Sequence, residues 1–171
     1  MSEFNDNNRL KFYCDDDRCI DCNGCAVACD EAHELPLGIR RRRVITLNEG
    51  IPGEEISTSI ACMHCEDAPC SLVCPVDCFY IRADGVVLHD KDICIGCASC
   101  VSACPYDARA IDADAGVADK CEMCVHRLSN GVETTMCQLC CPNRAIVVGD
   151  LDDPESEVSK IVSGKDVERY L

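Results

Sequence analysis

An α+β fold of small hairpins and short helices is the class this sequence predicts, on three observations. Cysteine fills 19 of the 171 positions, and 16 of these fall into four groups of four. Large side chains are scarce, with no Trp, three Phe and four Tyr, so there is little material for a conventional core. Short β-branched or aromatic runs, bounded by turn residues, alternate with the cysteine groups. Strands and helices must therefore both be brief.

The first group is Cys19, Cys22, Cys25 and Cys29, spaced C-x2-C-x2-C-x3-C. The second, Cys62, Cys65, Cys70 and Cys74, runs C-x2-C-x4-C-x3-C. The third, Cys94, Cys97, Cys100 and Cys104, repeats the first spacing, and the fourth, Cys121, Cys124, Cys137 and Cys141, runs C-x2-C-x12-C-x3-C. Three closely spaced thiolates can wrap one iron–sulfur cube, while the fourth cysteine points away to a second cube. Four such groups supply ligands for four [4Fe–4S] clusters. Ligand binding is coupled to folding and would do much of the work of the missing core. A disulfide scaffold is the competing use of so many cysteines. No hydrophobic leader opens the sequence, and disulfide frameworks do not repeat so tight a spacing. Tetrahedral zinc competes at the fourth group, whose cysteine pairs are widely separated.

Along the chain, residues 1–9 are polar and read as disordered. Leu10–Tyr13 reads as a strand, and Cys25–Glu34 as a short helix carrying the last ligand of its group. Val44–Leu47 and Ser57–Ala61 are candidate strands, separated by a turn or loop over Asn48–Gly53. Phe79–Arg82 and Val86–Leu88 flank Ala83-Asp84-Gly85, a hairpin signal because Asp-Gly accepts the positive φ of a tight turn. Ala145–Val148 is the last strand. A helix then starts with Asp153 as N-cap and Pro154 at its first position, and runs to about Ser163 before Gly164 stops it.

The formal charge is −15, and each cube with four thiolates adds about two more negative charges. A nucleic-acid partner is excluded by the lack of a basic face. Arg40, Arg41, Arg42 and Arg43 are the exception, and read as a solvated face or a contact for an acidic partner. No apolar stretch approaches the ~20 residues of a membrane span. His64, inside CMHC, reads as a hydrogen-bonding tuner of its cluster or as a packed or solvated side chain; His33, His89 and His126 lack ligand spacing to one another, and no nucleophile–base constellation or phosphate-binding loop stands out. The chain is therefore read as a non-catalytic carrier of electrons.

There is an internal repeat: residues 57–113 and the flanking segments 10–47 plus 115–149 each amount to one bacterial-type two-cluster ferredoxin module, leaving 150–171 as a C-terminal docking tail and helix. Pro follows the last cysteine in Cys74-Pro75, Cys104-Pro105 and Cys141-Pro142, whereas Asp30 follows Cys29.

From Phe12 to Val162 the pattern resembles the four-cluster iron–sulfur subunits that accompany molybdenum or tungsten bis-pterin oxidoreductases. The stretches that carry it are CIDCNGCAVAC, CMHCEDAPCSLVCP, CIGCASCVSACPY and DKCEMC, with the tail GDLDDPESEVSK at Gly149–Lys160. Within that family, Cys14–Thr46 and Ala61–Cys97 look most like formate dehydrogenase beta subunits. The fourth group departs from the formate dehydrogenase version. The resemblance implies nested ligand sets: Cys19, Cys22 and Cys25 with Cys141; Cys121, Cys124 and Cys137 with Cys29; Cys62, Cys65 and Cys70 with Cys104; Cys94, Cys97 and Cys100 with Cys74. Cys14 and Cys78 would stay unligated, while Cys140 competes with Cys141. It further implies a large Mo/W-pterin catalytic partner, a second electron acceptor or donor (flavoprotein, ferredoxin or cytochrome), and a cytoplasmic place or co-export to the periplasm. The alternatives are the electron-transfer subunit of a tungsten aldehyde oxidoreductase, an aromatic-ring reductase or a hydrogenase, a free polyferredoxin, or a zinc-stabilised interaction module.

Overall fold

The computed structural model describes residues 9–132 and 134–164. Of the polar start, only Arg9 lies within them. Strand β1 (Leu10–Cys14) leads through the first cysteine loop into α1 (Gly24–Ala32). β2 (Arg42–Leu47) and β3 (Ile56–Ala61) form an antiparallel hairpin with Arg42 opposite Ala61 and Leu47 opposite Ile56. After α2 (Pro69–Leu72), β4 (Phe79–Ile81) pairs with β5 (Val87–His89), and Gly85 takes φ 75° in their turn. Helix α3 (Ser99–Ala103) precedes a further hairpin, β6 (Arg109–Asp112) with β7 (Val117–Lys120). Helices α4 (Val125–Leu128) and α5 (Met136–Leu139) carry the fourth group, and β8 (Ile146–Asp150) and α6 (Glu157–Gly164) follow.

Four two-stranded sheets result, and three pair neighbours in sequence. The fourth joins β1 to β8, with Leu10 opposite Asp150 and Cys14 opposite Ile146, so both ends of the described chain meet. Helix α1 packs on α5, and α2 on α3. The first contact brings the first and fourth cysteine groups together, the second the second and third.

The core is divided into small clusters that include cysteines. One gathers Ala68, Cys70, Cys78, Phe79, Val87, Cys100 and Ala118; another Leu10, Val86, Met123 and Leu128; a third Cys25, Cys137 and Ile146. The thinness of each matches the scarcity of aromatic side chains.

Two expectations need correction. Helix α6 begins at Glu157, not at Pro154, and Gly164 is its last residue. Asp153 caps only a local turn, its Oδ1 accepting from Glu155 N at 2.9 Å, while the Ser156 hydroxyl accepts from Ser159 N at 3.1 Å in the N-cap manner. The arginine run is a solvated face only in part: Arg40 is exposed, whereas Arg41 and Arg42 are 6% and 2% exposed. Acidic and sulfur-bearing neighbours inside the fold draw them inward. The hairpin β6–β7 and the four-residue helices were not expected.

Candidate iron–sulfur centres

The backbone repeats itself at each cysteine group. The residue just before the second cysteine is left-handed in all four: Asp21 (φ 53°), His64 (47°), Gly96 (63°) and Met123 (55°). That turn lets two cysteines separated by two residues face the same side. L-residues adopt it at a cost, so its recurrence at non-glycine positions marks a shape that the surroundings impose. A second repeat follows each Cys-Pro. Asp77, Asp107 and Arg144, three residues after Cys74, Cys104 and Cys141, have φ 50°, 47° and 51°. The next amide then points back at the sulfur: Cys78 N donates to Cys74 Sγ at 3.4 Å, Ala108 N to Cys104 Sγ at 3.5 Å and Ala145 N to Cys141 Sγ at 3.2 Å. Cys29 lacks the Pro, and its helix runs on through Ala32.

Two cavities are lined by cysteines from two groups at once. One takes Cys94, Cys97 and Cys100 together with Cys74, and also Cys78. The other takes Cys19, Cys22 and Cys25 together with Cys141, and also Cys14. Cys29 lies in the electrostatic field of Cys121, Cys137 and Cys124, and Cys65 in that of Cys62 and Cys70. Cys104 follows α3, which rests on the helix carrying Cys70.

The three extra thiols stand apart. Cys140 is exposed, its Sγ 3.8 Å from Gly24 O. Cys14 accepts from Ser59 N at 3.3 Å, and burial pushes its pKa up. Cys78 is 2% exposed, and burial, with a hydrogen bond to Cys74 next, pushes its thiol up to about 12.

The donor set fits iron–sulfur clusters. The cavity-lining donors are cysteine sulfurs, and backbone or side-chain N–H groups are already aimed at them. Ala118 N reaches Cys94 Sγ at 3.5 Å, Met123 N reaches Cys121 Sγ at 3.4 Å, and Arg109 Nη2 reaches Cys70 Sγ at 2.6 Å. Such bonds favour the thiolate over the thiol. Burial alone pushes the other way, raising Cys29 above its usual range and Cys121 up to about 11. Iron bound to sulfur would supply the positive charge that offsets the cost of deprotonation. His64 is fully buried and its Nδ1 accepts from Val87 N at 3.0 Å, which puts the ring proton on Nε2. That donor has no partner among the described residues, nor have Nε and Nη1 of Arg109. Sequence reading passed over Ser59, Lys120 and Arg109, and read Arg42 only as part of an exposed arginine run. The available signal was a charged or hydroxyl residue inside a strand next to a cysteine group.

A 4Fe-4S dicluster domain model matches residues 55–151, which include all of the fourth group and so favour iron–sulfur over zinc there. The chain is 51% identical over 166 residues to the formate dehydrogenase iron-sulfur subunit of Wolinella succinogenes, covering 84% of this chain and 82% of that protein. It is 39% identical to the thiosulfate reductase electron transfer subunit of Salmonella typhi, across 91% of this chain and 82% of that one. It is 35% identical to a polysulfide reductase subunit of Wolinella succinogenes, across 88% and 81%. The cysteine geometry and these similarities agree, and the chain belongs to the 4Fe-4S dicluster family of iron–sulfur electron-transfer subunits.

Proposed function

We infer that the chain holds four [4Fe–4S] clusters in two nested modules, an inner one over 57–113 and an outer one from 10–47 with 115–149. The observation that carries this is the lining of the two cavities, each with three cysteines of one group and the last cysteine of another. The same logic gives Cys121, Cys124, Cys137 with Cys29, and Cys62, Cys65, Cys70 with Cys104. When bound, each cluster accepts or releases one electron. The protein holds the sulfurs at fixed separations, donates hydrogen bonds to them and keeps water away from the buried ones.

The partner is a large molybdenum- or tungsten-pterin subunit, and formate is its most supported substrate, on the 51% identity to the formate dehydrogenase subunit. A second protein, a flavoprotein, ferredoxin or cytochrome, exchanges electrons at the other end. No helix among the described residues is long and apolar enough to cross a membrane, which supports attachment through a partner rather than a span of this chain. The cytoplasm is the proposed compartment.

Anaerobically purified protein should contain about sixteen irons, four for each cube. Iron and acid-labile sulfide assays check this, and stoichiometric zinc or iron for three cubes would defeat it. The native complex should oxidise formate with an artificial acceptor. Recovery of this chain alone would sink the subunit reading; recovery with an aldehyde oxidoreductase or a hydrogenase would remove formate only.

A further inference from the structure

Three cations are buried where no carboxylate pairs with them. Arg42 is 2% exposed, Arg109 7% and Lys120 1%. Among the described residues none of the three forms an ion pair with Asp or Glu, unlike the adjacent Arg41, which binds Asp119 and Glu122. A buried charge without an opposite charge is strongly unfavourable, so the folded molecule must supply negative charge of another kind.

Sulfur surrounds all three. Arg42 Nη1 donates to Ser59 Oγ at 2.9 Å, Ser59 Oγ lies 3.2 Å from Cys25 Sγ, and the guanidinium stacks over Phe12 at 4.4 Å. The sulfurs whose field reaches Arg42 are Cys137, Cys121, Cys25 and Cys29. Lys120 Nζ donates to Val87 O and, at 2.8 Å, to Cys121 O; burial and Arg109 work against its charge, while the sulfurs of Cys62 and Cys121 and the more distant Glu122 favour it. Arg109 donates to Cys70 Sγ at 2.6 Å, lies over Phe79 at 4.8 Å, and acts on both Cys70 and Cys100.

On the ligand sets inferred above, each cation therefore borders two sets. Arg42 stands between the Cys19 and Cys121 sets, Lys120 between the Cys121 and Cys62 sets, and Arg109 between the Cys62 and Cys94 sets. The four sets form a row with one buried cation at each of its three junctions.

We propose that Arg42, Lys120 and Arg109 are positioning residues for electron transfer, each raising the reduction potential of the two clusters it borders and so easing passage across its junction. An electron crossing a junction oxidises one cluster and reduces the next by one, with no proton transferred. The cation offsets the added negative charge on whichever side holds it. The inference rests on the nested ligand sets, and its test is built to separate the two.

The experiment is a redox titration of the holoprotein followed by electron paramagnetic resonance, with iron content measured on every sample. Arg42→Gln, Lys120→Gln and Arg109→Gln should each lower two of the four potentials and leave two in place. The affected pairs should overlap in one cluster between Arg42→Gln and Lys120→Gln, and in one between Lys120→Gln and Arg109→Gln, but not between Arg42→Gln and Arg109→Gln. Arg42→Lys, Lys120→Arg and Arg109→Lys should bring the potentials back toward wild type. If a glutamine variant loses iron, Ser59→Asp provides the second route: it neutralises Arg42 in place and should lower the same two potentials. Full iron with unmoved potentials, or an equal shift of all four, would overturn the assignment. Wild-type protein with fewer than four clusters would instead defeat the ligand reading, before any variant is made.

Discussion

The left-handed residues before each second cysteine separate what a side chain contributes from what the backbone demands. Gly96 alone among them is glycine, and the space beside it explains why: a Cβ there would collide with the carbonyl oxygen of Gly116, in the turn between β6 and β7. Gly96→Ala should cost about 2 kcal/mol or more, combining clash with strain, and should release iron from the Cys94 set on heating before the other sets. Iron retention after graded heating checks it, and unchanged release would show that the turn yields. Asp21, at the matching place in the first group, already tolerates φ 53°. Cys140 and Cys141 offer a second comparison at this scale. Cys141 Sγ accepts from Ala145 N and lines a cavity with Cys19, Cys22 and Cys25, whereas Cys140 is exposed. Cys141→Ser should therefore lose or convert one cluster, while Cys140→Ser keeps the full iron content. The reverse result would exchange their roles. The four cysteine groups were legible because their spacing is itself the signal. The buried cations were not, because charge in a sequence reads as solvent exposure until the sulfur around it is known.

At the scale of elements, strands showed themselves wherever hydrophobic residues marked the buried face. Val44–Leu47, Ser57–Ala61, Phe79–Arg82 and Ala145–Val148 all fall on observed strands to within a residue or two. Hairpin β6–β7 escaped because its buried positions are Arg109, Ala118, Asp119 and Lys120 rather than an apolar alternation. Asp119 there accepts from Arg41 Nη2 at 2.7 Å and from Lys91 Nζ at 2.8 Å, tying β7 to the residue just before β2 and to the loop after β5. The short helices have too few turns to show a period. Among the described residues α6 is the one helix outside the ligand groups, and it lies on its own chain. Val158 is 1% exposed, and its Cβ lies 3.6 Å from where a Cβ at Gly149 would stand, against β8. Arg9 Nη2 meets Asp152 Oδ1 at 2.7 Å beside it. The hydrogen bond from Arg9 holds the Asp152 carboxyl below its usual range, so this tie is intact above about pH 4 and is lost only as pH falls through the lowered value. Val158→Asp should detach α6 at neutral pH, since a buried carboxylate without a partner outweighs the apolar contact it replaces. Faster proteolysis after Asp150 with iron content unchanged is the expected result. Loss of iron would show that α6 also braces the outer sets.

Across the whole molecule, the two proposed modules differ in what closes them. The inner one joins cysteine groups adjacent in sequence, through α2 on α3 and the local hairpin β4–β5. The outer one needs β1 against β8 and α1 against α5, pairs separated by most of the chain. Closing a long loop costs more entropy than closing a short one, although the difference grows slowly with length. The larger effect is that the intervening segment must itself be compact before β1 can find β8. Residues 55–122 expressed alone should therefore assemble with iron to about eight atoms, two cubes, under the conditions that load the full chain. Their loss of Arg41 leaves Asp119 with Lys91 alone, so the fragment should be less stable than the same segment within the whole protein. A chain in which a flexible linker replaces residues 55–120 should hold little or no iron, because α1 and α5 then lose the body that sets them side by side. Iron and sulfide analysis of the two products decides the matter. Two full clusters in the linker-bridged product would mean that the outer module closes on its own, and an iron-free inner fragment would mean that all four sets assemble only together.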